Sequence, residues 1–272
     1  MNARASVPNM PMPDSRPLMI SFDKVSKAFA HRRQTIPAVD PIDFDIRRGD
    51  FIAFVGPSGC GKTTLLNLAA GLLAPDGGQV RYAGEPLTGA NTRIGYLTQA
   101  DALLPWRSIL ANVTLPLEIR RVARAERAAR ALAILDRVGL KGFERHYPAQ
   151  LSGGMRKRAA LARTLVYEPE TLLLDEPFGA LDAQSRNVLQ RQLARLAEEL
   201  GLTVVMVTHD LDEAVALARR IVVFSQRPAR IVDDIVVAAR LQPRRHAAAE
   251  EPSLNERLWS LLAPESDLGA VA

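Results

Sequence analysis

Four short apolar runs, each stopped by a small or polar residue, set the tightest limit on what this chain can fold into. FIAFV (51–55) runs into Gly56, IGYLT (94–98) into Gln99, TLLL (171–174) into Asp175 and Glu176, and TVVMVT (203–208) into His209. Unbroken runs of this length, rich in Val, Ile and Leu, read as strands buried on both faces, mostly of a parallel sheet. Helical stretches at 62–73, 182–200 and 210–218 lie between or after these runs, and the alternation predicts an α/β fold. In open sheets of this kind ligands bind beyond the carboxyl ends of the strands. Polar residues that end successive strands can therefore meet at one site although the sequence spreads them widely.

Two stretches depart from that alternation. Residues 18–46 and 79–84 alternate apolar and polar side chains, which predicts a small antiparallel sheet. Residues 105–162 carry no strong strand signal and read as a helical insertion. Within it, residues 120–137 place Val122, Ala125, Ala129, Leu132 and Leu135, followed by Val138, at helical spacing with arginines on the other face. That basic face is either solvated or turned toward anionic lipid. Residues 1–17, with their prolines, read as a loose arm; 242–272 read as a linker and a short amphipathic helix. Ser253 would cap that helix, with Leu254, Leu258, Leu261 and Leu262 on one side. The folded domain is thus expected over 18–241.

Composition narrows the class. The apolar runs fall well short of the roughly 20 residues that span a bilayer, and the first residues lack the apolar core of a secretory signal. The single cysteine, Cys60, excludes an intrachain disulfide framework and fits a reducing compartment, so a cytoplasmic location is expected. The formal charge of +5 is dispersed along the chain rather than clustered as in nucleic-acid binders, and no nucleic-acid partner is expected.

Three motifs carry chemistry. Gly56-Pro57-Ser58-Gly59-Cys60-Gly61-Lys62-Thr63, followed by Thr64, fits the phosphate-loop pattern in its required place between a strand and a helix. Glycines let successive backbone N–H groups turn toward phosphate oxygens, and the helix start adds a favourable dipole. Lys62 would neutralise the β- and γ-phosphates of ATP, and the Thr63 hydroxyl would ligate Mg²⁺. Cys60, at a helix mouth beside Lys62, is expected to react with maleimide. LLLDEP (172–177) supplies two carboxylates after a strand. By itself the pair could be an acidic helix cap; beside a phosphate loop, Asp175 is placed to hold the metal and Glu176 to polarise water. LSGGM (151–155) opens a basic helical run, either as an ordinary Ser N-cap or as a second anion cradle.

At LSGGM the chain resembles the ATP-binding-cassette ATPases, whose signature is LSGGQ, and the resemblance extends over about 18–230. It implies a P-loop NTPase (RecA-like) core with a small antiparallel β subdomain and an inserted α-helical subdomain. Gln99 matches the Q-loop glutamine, which contacts nucleotide and metal. Residues 180–182 match the D-loop, which implies that Asp182 is among the nucleotide-binding residues. His209 matches the switch histidine, which contacts the γ-phosphate beside the catalytic Glu176. Phe29 falls where the family stacks an aromatic ring on adenine. The implied assembly is a head-to-tail homodimer, each ATP lying between one phosphate loop and Ser152, Gly153 and Gly154 of the other copy.

Met155 replaces the signature glutamine and Phe29 the commoner tyrosine; a phenylalanine keeps the π-face that stacking needs. The Met is similar to the branch that imports nitrate, sulfonates and taurine, as are LLPW (103–106), DEPFGALD (175–182), THDLDEA (208–214), SQRPARI (225–231) and RLWSLL (257–262). That branch implies a separate membrane permease, an extracytoplasmic solute-binding protein, and a peripheral position on the cytoplasmic face of the inner membrane. Trp106 is then either a core residue or part of a permease-facing loop. Too few residues separate Thr63 from Ser152 for the long coiled coil of DNA-repair cassettes. An unrelated P-loop kinase or GTPase would leave the signature turn and His209 unexplained.

Overall fold

The alternating segment forms a hairpin. In the computed structural model, which describes residues 15–31, 34–179, 181–237 and 258, β1 (Leu18–His31) pairs antiparallel with β2 (Gln34–Arg47), matching Phe22 to Phe44 and Val25 to Ile42. Ile42, Phe44 and Ile46 are buried while their neighbours face outward, the period of two that a one-sided sheet requires. β4 (Gly77–Tyr82) adds to the other edge of β1, and β5 (Glu85–Pro86) completes a four-stranded sheet in the order β2-β1-β4-β5.

The four apolar runs become β3 (Phe51–Val55), β6 (Ile94–Leu97), β7 (Thr171–Asp175) and β8 (Thr203–Val207). Every residue of β3, β7 and β8 is buried. Two further strands, β9 (Arg220–Phe224) and β10 (Ile231–Val236), complete a six-stranded sheet in the order β10-β9-β3-β8-β7-β6. All its pairings are parallel except that of β10 with β9. Sequence reasoning missed these two strands, although RIVVF carries the same β-branched signal as the other runs.

The pleat of this sheet divides the core in two. Phe51, Ala53, Val55, Leu172, Leu174, Val204 and Met206 face the helical side. Ile52, Phe54, Leu173, Val205 and Val207 face the antiparallel sheet and α1 (Lys62–Ala69). There Phe54 meets Phe44 and Phe224 edge-on, at 5.9 and 5.1 Å between ring centroids, a favoured aromatic geometry. α1 is shorter than expected. It stops at Ala69, because the chain turns through Gly71 at φ +70°, and a Cβ there would lie 2.0 Å from the Gly89 carbonyl oxygen.

The insertion holds α2 (Ile109–Ile119), α3 (Arg124–Arg137) and α4 (Gly153–Leu165), with a single 3₁₀ turn at Pro148–Gln150. Residues 120–137 are not one helix: α2 ends before Arg121, which takes φ 58°, and α3 starts afresh at Arg124. The buried face is also rotated from the expected one. Ala131, Ile134, Leu135 and Val138 are buried, whereas Ala125 and Ala129 are exposed and Leu132 is 45% exposed. The buried set follows the i, i+3, i+4, i+7 spacing and holds the larger aliphatic groups, so more area leaves water that way. α5 (Ala183–Glu199) and α6 (Leu211–Leu217) follow β7 and β8.

No described helix is long and apolar enough to cross a membrane. Of the tail helix expected near 253–262, Leu258 is described; it is helical and buried in the helical-side core. The rest of that helix, the linker and residues 1–14 of the arm lie outside the described residues.

Candidate active site

The phosphate loop joins β3 to α1. Gly61 takes φ 126°, and a Cβ there would sit 2.6 Å from the Ala38 carbonyl oxygen, so only glycine lets the loop lie this close to β2. Gly56 is buried at the end of β3, Pro57 is half-buried, and Ser58 and Gly59 form the exposed crest. Lys62 is buried, and its Nζ donates to the carbonyls of Gly56 (2.7 Å) and Pro57 (2.8 Å) and to Cys60 Sγ (3.7 Å). The ammonium thus sits inside the turn. α1 has no side-chain cap at Gly61, which leaves its first amides to an anion. Thr64, half-buried, continues the first turn. One expectation fails here: Cys60 is only 1% exposed, packed in the core beneath the loop, so its thiol is shielded from reagents rather than displayed at the helix mouth.

Two adjacent carboxylates leave the end of β7 in different directions. Asp175 is buried and accepts from Thr63 Oγ1 on both oxygens, at 3.0 and 3.1 Å. Burial pushes its carboxyl above the usual range, and Glu176 adds to that, against the Thr63 hydrogen bond and the charges of Lys62 and Lys157. Glu176 turns into the left-handed region at φ 45°, a conformation a non-glycine residue holds only when its surroundings impose it. Its amide donates to the Val207 carbonyl at 3.0 Å, tying the turn to β8. Glu176 Oε2 accepts from Gln99 Nε2 at 3.1 Å, and Oε1 lies 3.3 Å from His209 Nδ1. The ends of β6, β7 and β8 therefore meet at one carboxylate, next to the Thr63–Asp175 pair.

The remaining expected residues lie apart. Ser152 caps α4, accepting from the Met155 amide at 3.3 Å, and Gly154 packs against Ser185 and Leu181. Asp182 caps α5, accepting from the Ser185 amide at 2.9 Å. Among the described residues no hydrogen bond joins 152–154 to the phosphate loop; Ala180 lies outside the described residues. Phe29 is 39% exposed on β1, with Lys27 Nζ 5.9 Å from its ring centroid.

The donors around Thr63 suit a hard divalent cation. Thr63 and Asp175, with the Gln99 amide nearby, offer oxygen ligands. The described residues contain no group of three or more His, Cys, Asp or Glu that could cage a metal. One carboxylate and one hydroxyl, completed by phosphate oxygens and water, is the set that Mg²⁺ takes in nucleotide sites.

Comparison with known proteins decides the family. Residues 39–179 match the family model described as ABC transporter. An uncharacterised ABC transporter ATP-binding protein of Methanocaldococcus jannaschii is 40% identical over 252 residues, covering 93% of this chain and 94% of the relative. The taurine import ATP-binding protein of Pseudomonas aeruginosa is 43% identical over 231 residues, covering 85% and 87%. The fold matches a dimeric ATP-binding cassette solved in a post-hydrolysis state with ADP and Pi, at TM-score 0.73 and 32% identity, over 81% of this chain and 100% of that one. The chain belongs to the ABC transporter family. It is an ATP-binding and ATP-hydrolysing subunit of an ABC transporter, with the P-loop α/β core the sequence implied.

Within this cassette several supporting residues escaped the sequence reading. Lys157 on α4 is buried and donates to the Gln99 carbonyl. Burial lowers its ammonium pKa, against the pull of Asp101, Asp175 and Glu176. Behind His209, Thr208 donates to Glu213 Oε2 at 2.7 Å, and Asp210 caps α6 through the amides of Asp212 and Glu213 while Arg186 Nη1 lies 3.2 Å from it. Burial raises the Glu213 carboxyl, countered by that Thr208 hydrogen bond. Only THDLDEA hinted at this set, since an Asp after a strand is a helix-cap signal; Lys157 and Arg186 look like ordinary helix-surface residues in sequence. Trp106 is 73% exposed, so it is no core residue. Its loop is nevertheless fixed, by Arg107 on Glu118 at 2.8 Å and by Asn112, which accepts from the Leu104 amide at 2.7 Å.

Proposed function

We propose that Glu176 is the general base for ATP hydrolysis, with His209 and Gln99 holding it. The observation that carries the reading is the suspension of this carboxylate between the ends of β6 and β8, beside the Thr63–Asp175 pair. Phosphate would draw Lys62 from the Gly56 and Pro57 carbonyls onto its own oxygens, exchanging neutral acceptors for charged ones. Glu176 would accept a proton from the attacking water as its oxygen bonds to the γ-phosphorus and the bond to ADP breaks. His209 would donate to a γ-phosphate oxygen. Thr63, Asp175 and Gln99 would hold Mg²⁺, which supplies positive charge to the phosphates. Phe29 would stack on adenine.

Ser152, Gly153 and Gly154 take part through a second copy in this reading. Their separation from the phosphate loop within one chain, and the dimeric state of the structural relative, support a head-to-tail dimer with Asp182 at its seam. Closure on ATP and reopening after hydrolysis would drive a membrane permease from its cytoplasmic face, a solute-binding protein delivering the cargo. Similarity to the taurine import protein supports a small sulfonate or a related organic ion as that cargo.

Glu176→Gln keeps the shape of the side chain and removes the charge that polarises water. Hydrolysis should fall by about 10²-fold or more, while ATP still binds and MgATP, but not ADP, shifts the protein from monomer toward dimer in light scattering. Parent-like hydrolysis by the Gln variant would remove Glu176 from this role.

A further inference from the structure

α4 opens at Ser152, yet its basic side chains reach into the segment that follows β6. Lys157 Nζ donates to the Gln99 carbonyl. Arg156 Nε lies 3.2 Å from Asp101 Oδ2. Arg163 Nη1 donates to the Ala102 carbonyl at 2.6 Å and Nη2 to the Asp101 carbonyl at 3.0 Å. Positions 156 and 163 are seven apart, hence on one face of the helix. Ala102 itself takes φ 49°, so the held segment is bent as well as bound. From Gln99 the contact continues to Glu176 Oε2 at 3.1 Å.

Lys157 is the member of this set with least local justification. It is 8% exposed, and the carboxylates of Asp101, Asp175 and Glu176 that pull on its charge make no ion pair with its Nζ within 4.0 Å among the described residues. Burying an ammonium on one backbone carbonyl costs stability that an apolar side chain of the same length would not. A residue placed at such a cost, one contact from Gln99 and two from Glu176, has a job other than holding the fold. We propose that Lys157 is a positioning residue for hydrolysis: through the Gln99 carbonyl it sets the Gln99 amide against Glu176, while Arg156 and Arg163 hold the rest of the same segment. The proposal rests on the reading of Glu176 as the base. It also makes α4 a direct mechanical link between Ser152–Gly154, which would meet the partner's nucleotide, and the chain's own Glu176.

The test uses the purified full-length chain and its ATPase activity. Lys157→Met keeps the stem and removes the donor. The expected result is a kcat about tenfold lower, since a displacement of about 1 Å at a catalytic group can cost more than that. KM for ATP should stay within about twofold, and Tm should be unchanged or higher because the buried charge is gone. A structural role would lower Tm together with activity. Lys157→Gln, which keeps an N–H donor, should recover most of the kcat. In a Gln99→Ala background, Lys157→Met should lower kcat no further, because the route to Glu176 is already cut. Parent-like kcat in Lys157→Met, or a full additional loss in the Gln99→Ala background, would overturn the proposal. Should the Met variant not fold, Lys157→Leu, which also removes the donor, carries the same cycle. A Glu176→Gln variant that still hydrolyses ATP is a distinct outcome, which strikes the base assignment itself.

Discussion

Asp175 shows how one residue can trade stability for chemistry. Burial raises its folded-state pKa above the unfolded value, so the fold favours the protonated carboxyl. The penalty on the ionised form is absent below the ordinary carboxylate range and grows as pH rises through the raised value. Asp175→Asn retains an oxygen for Thr63 and removes that penalty. It should melt a few degrees higher than the parent at pH 7.5, an effect of about 1 kcal/mol, with the gap closing as pH falls toward about 4. ATP hydrolysis should be lost with it. A scanning-calorimetry series across that range checks the sign; an unchanged or lower Tm at pH 7.5 would show that its hydrogen bonds with Thr63 outweigh desolvation. The adjacency of Asp175 and Glu176 at a strand end was legible in the sequence. The left-handed turn that parts the two side chains was not, because no glycine marks it.

Elements began and ended where local chemistry or close contact required it. Asp182, Ser152 and Asp210 cap α5, α4 and α6 through their side chains, and these starts could be read directly from residue type. The end of α1 could not be placed to the residue from the apolar run, since the deciding contact is Gly71 against the Gly89 carbonyl. Gly71→Ala should therefore destabilise the protein by about 2–4 kcal/mol, from a Cβ placed in the left-handed region and against backbone. Denaturant unfolding would register the loss as a lower midpoint, and a parent-like midpoint would mean that the two turns can move apart. α3 gave the opposite lesson. Its alanines made several helical faces look apolar, and the packed face was the one carrying Ile134 and Leu135.

At the scale of the molecule, the sheet order β10-β9-β3-β8-β7-β6 brings the phosphate loop, both carboxylates, Gln99 and His209 to one edge, and leaves Trp106 on the outside. Trp106→Ala should leave Tm and ATP binding of the isolated chain within error, as exposed substitutions usually do, while lowering ATP-driven uptake in vesicles that carry the permease. A large fall in Tm would assign Trp106 to the fold instead. The sequence by itself determined four strands of the larger sheet, the phosphate loop and the resemblance to the family, because unbroken apolar runs, glycine spacing and helix caps are encoded by neighbouring residues. Only the tertiary structure decided that Thr63 reaches Asp175 across 112 positions and Lys157 reaches Gln99 across 58. Those meetings depend on which strands lie side by side and which helix face is packed, and both are settled by long-range burial rather than by any local pattern.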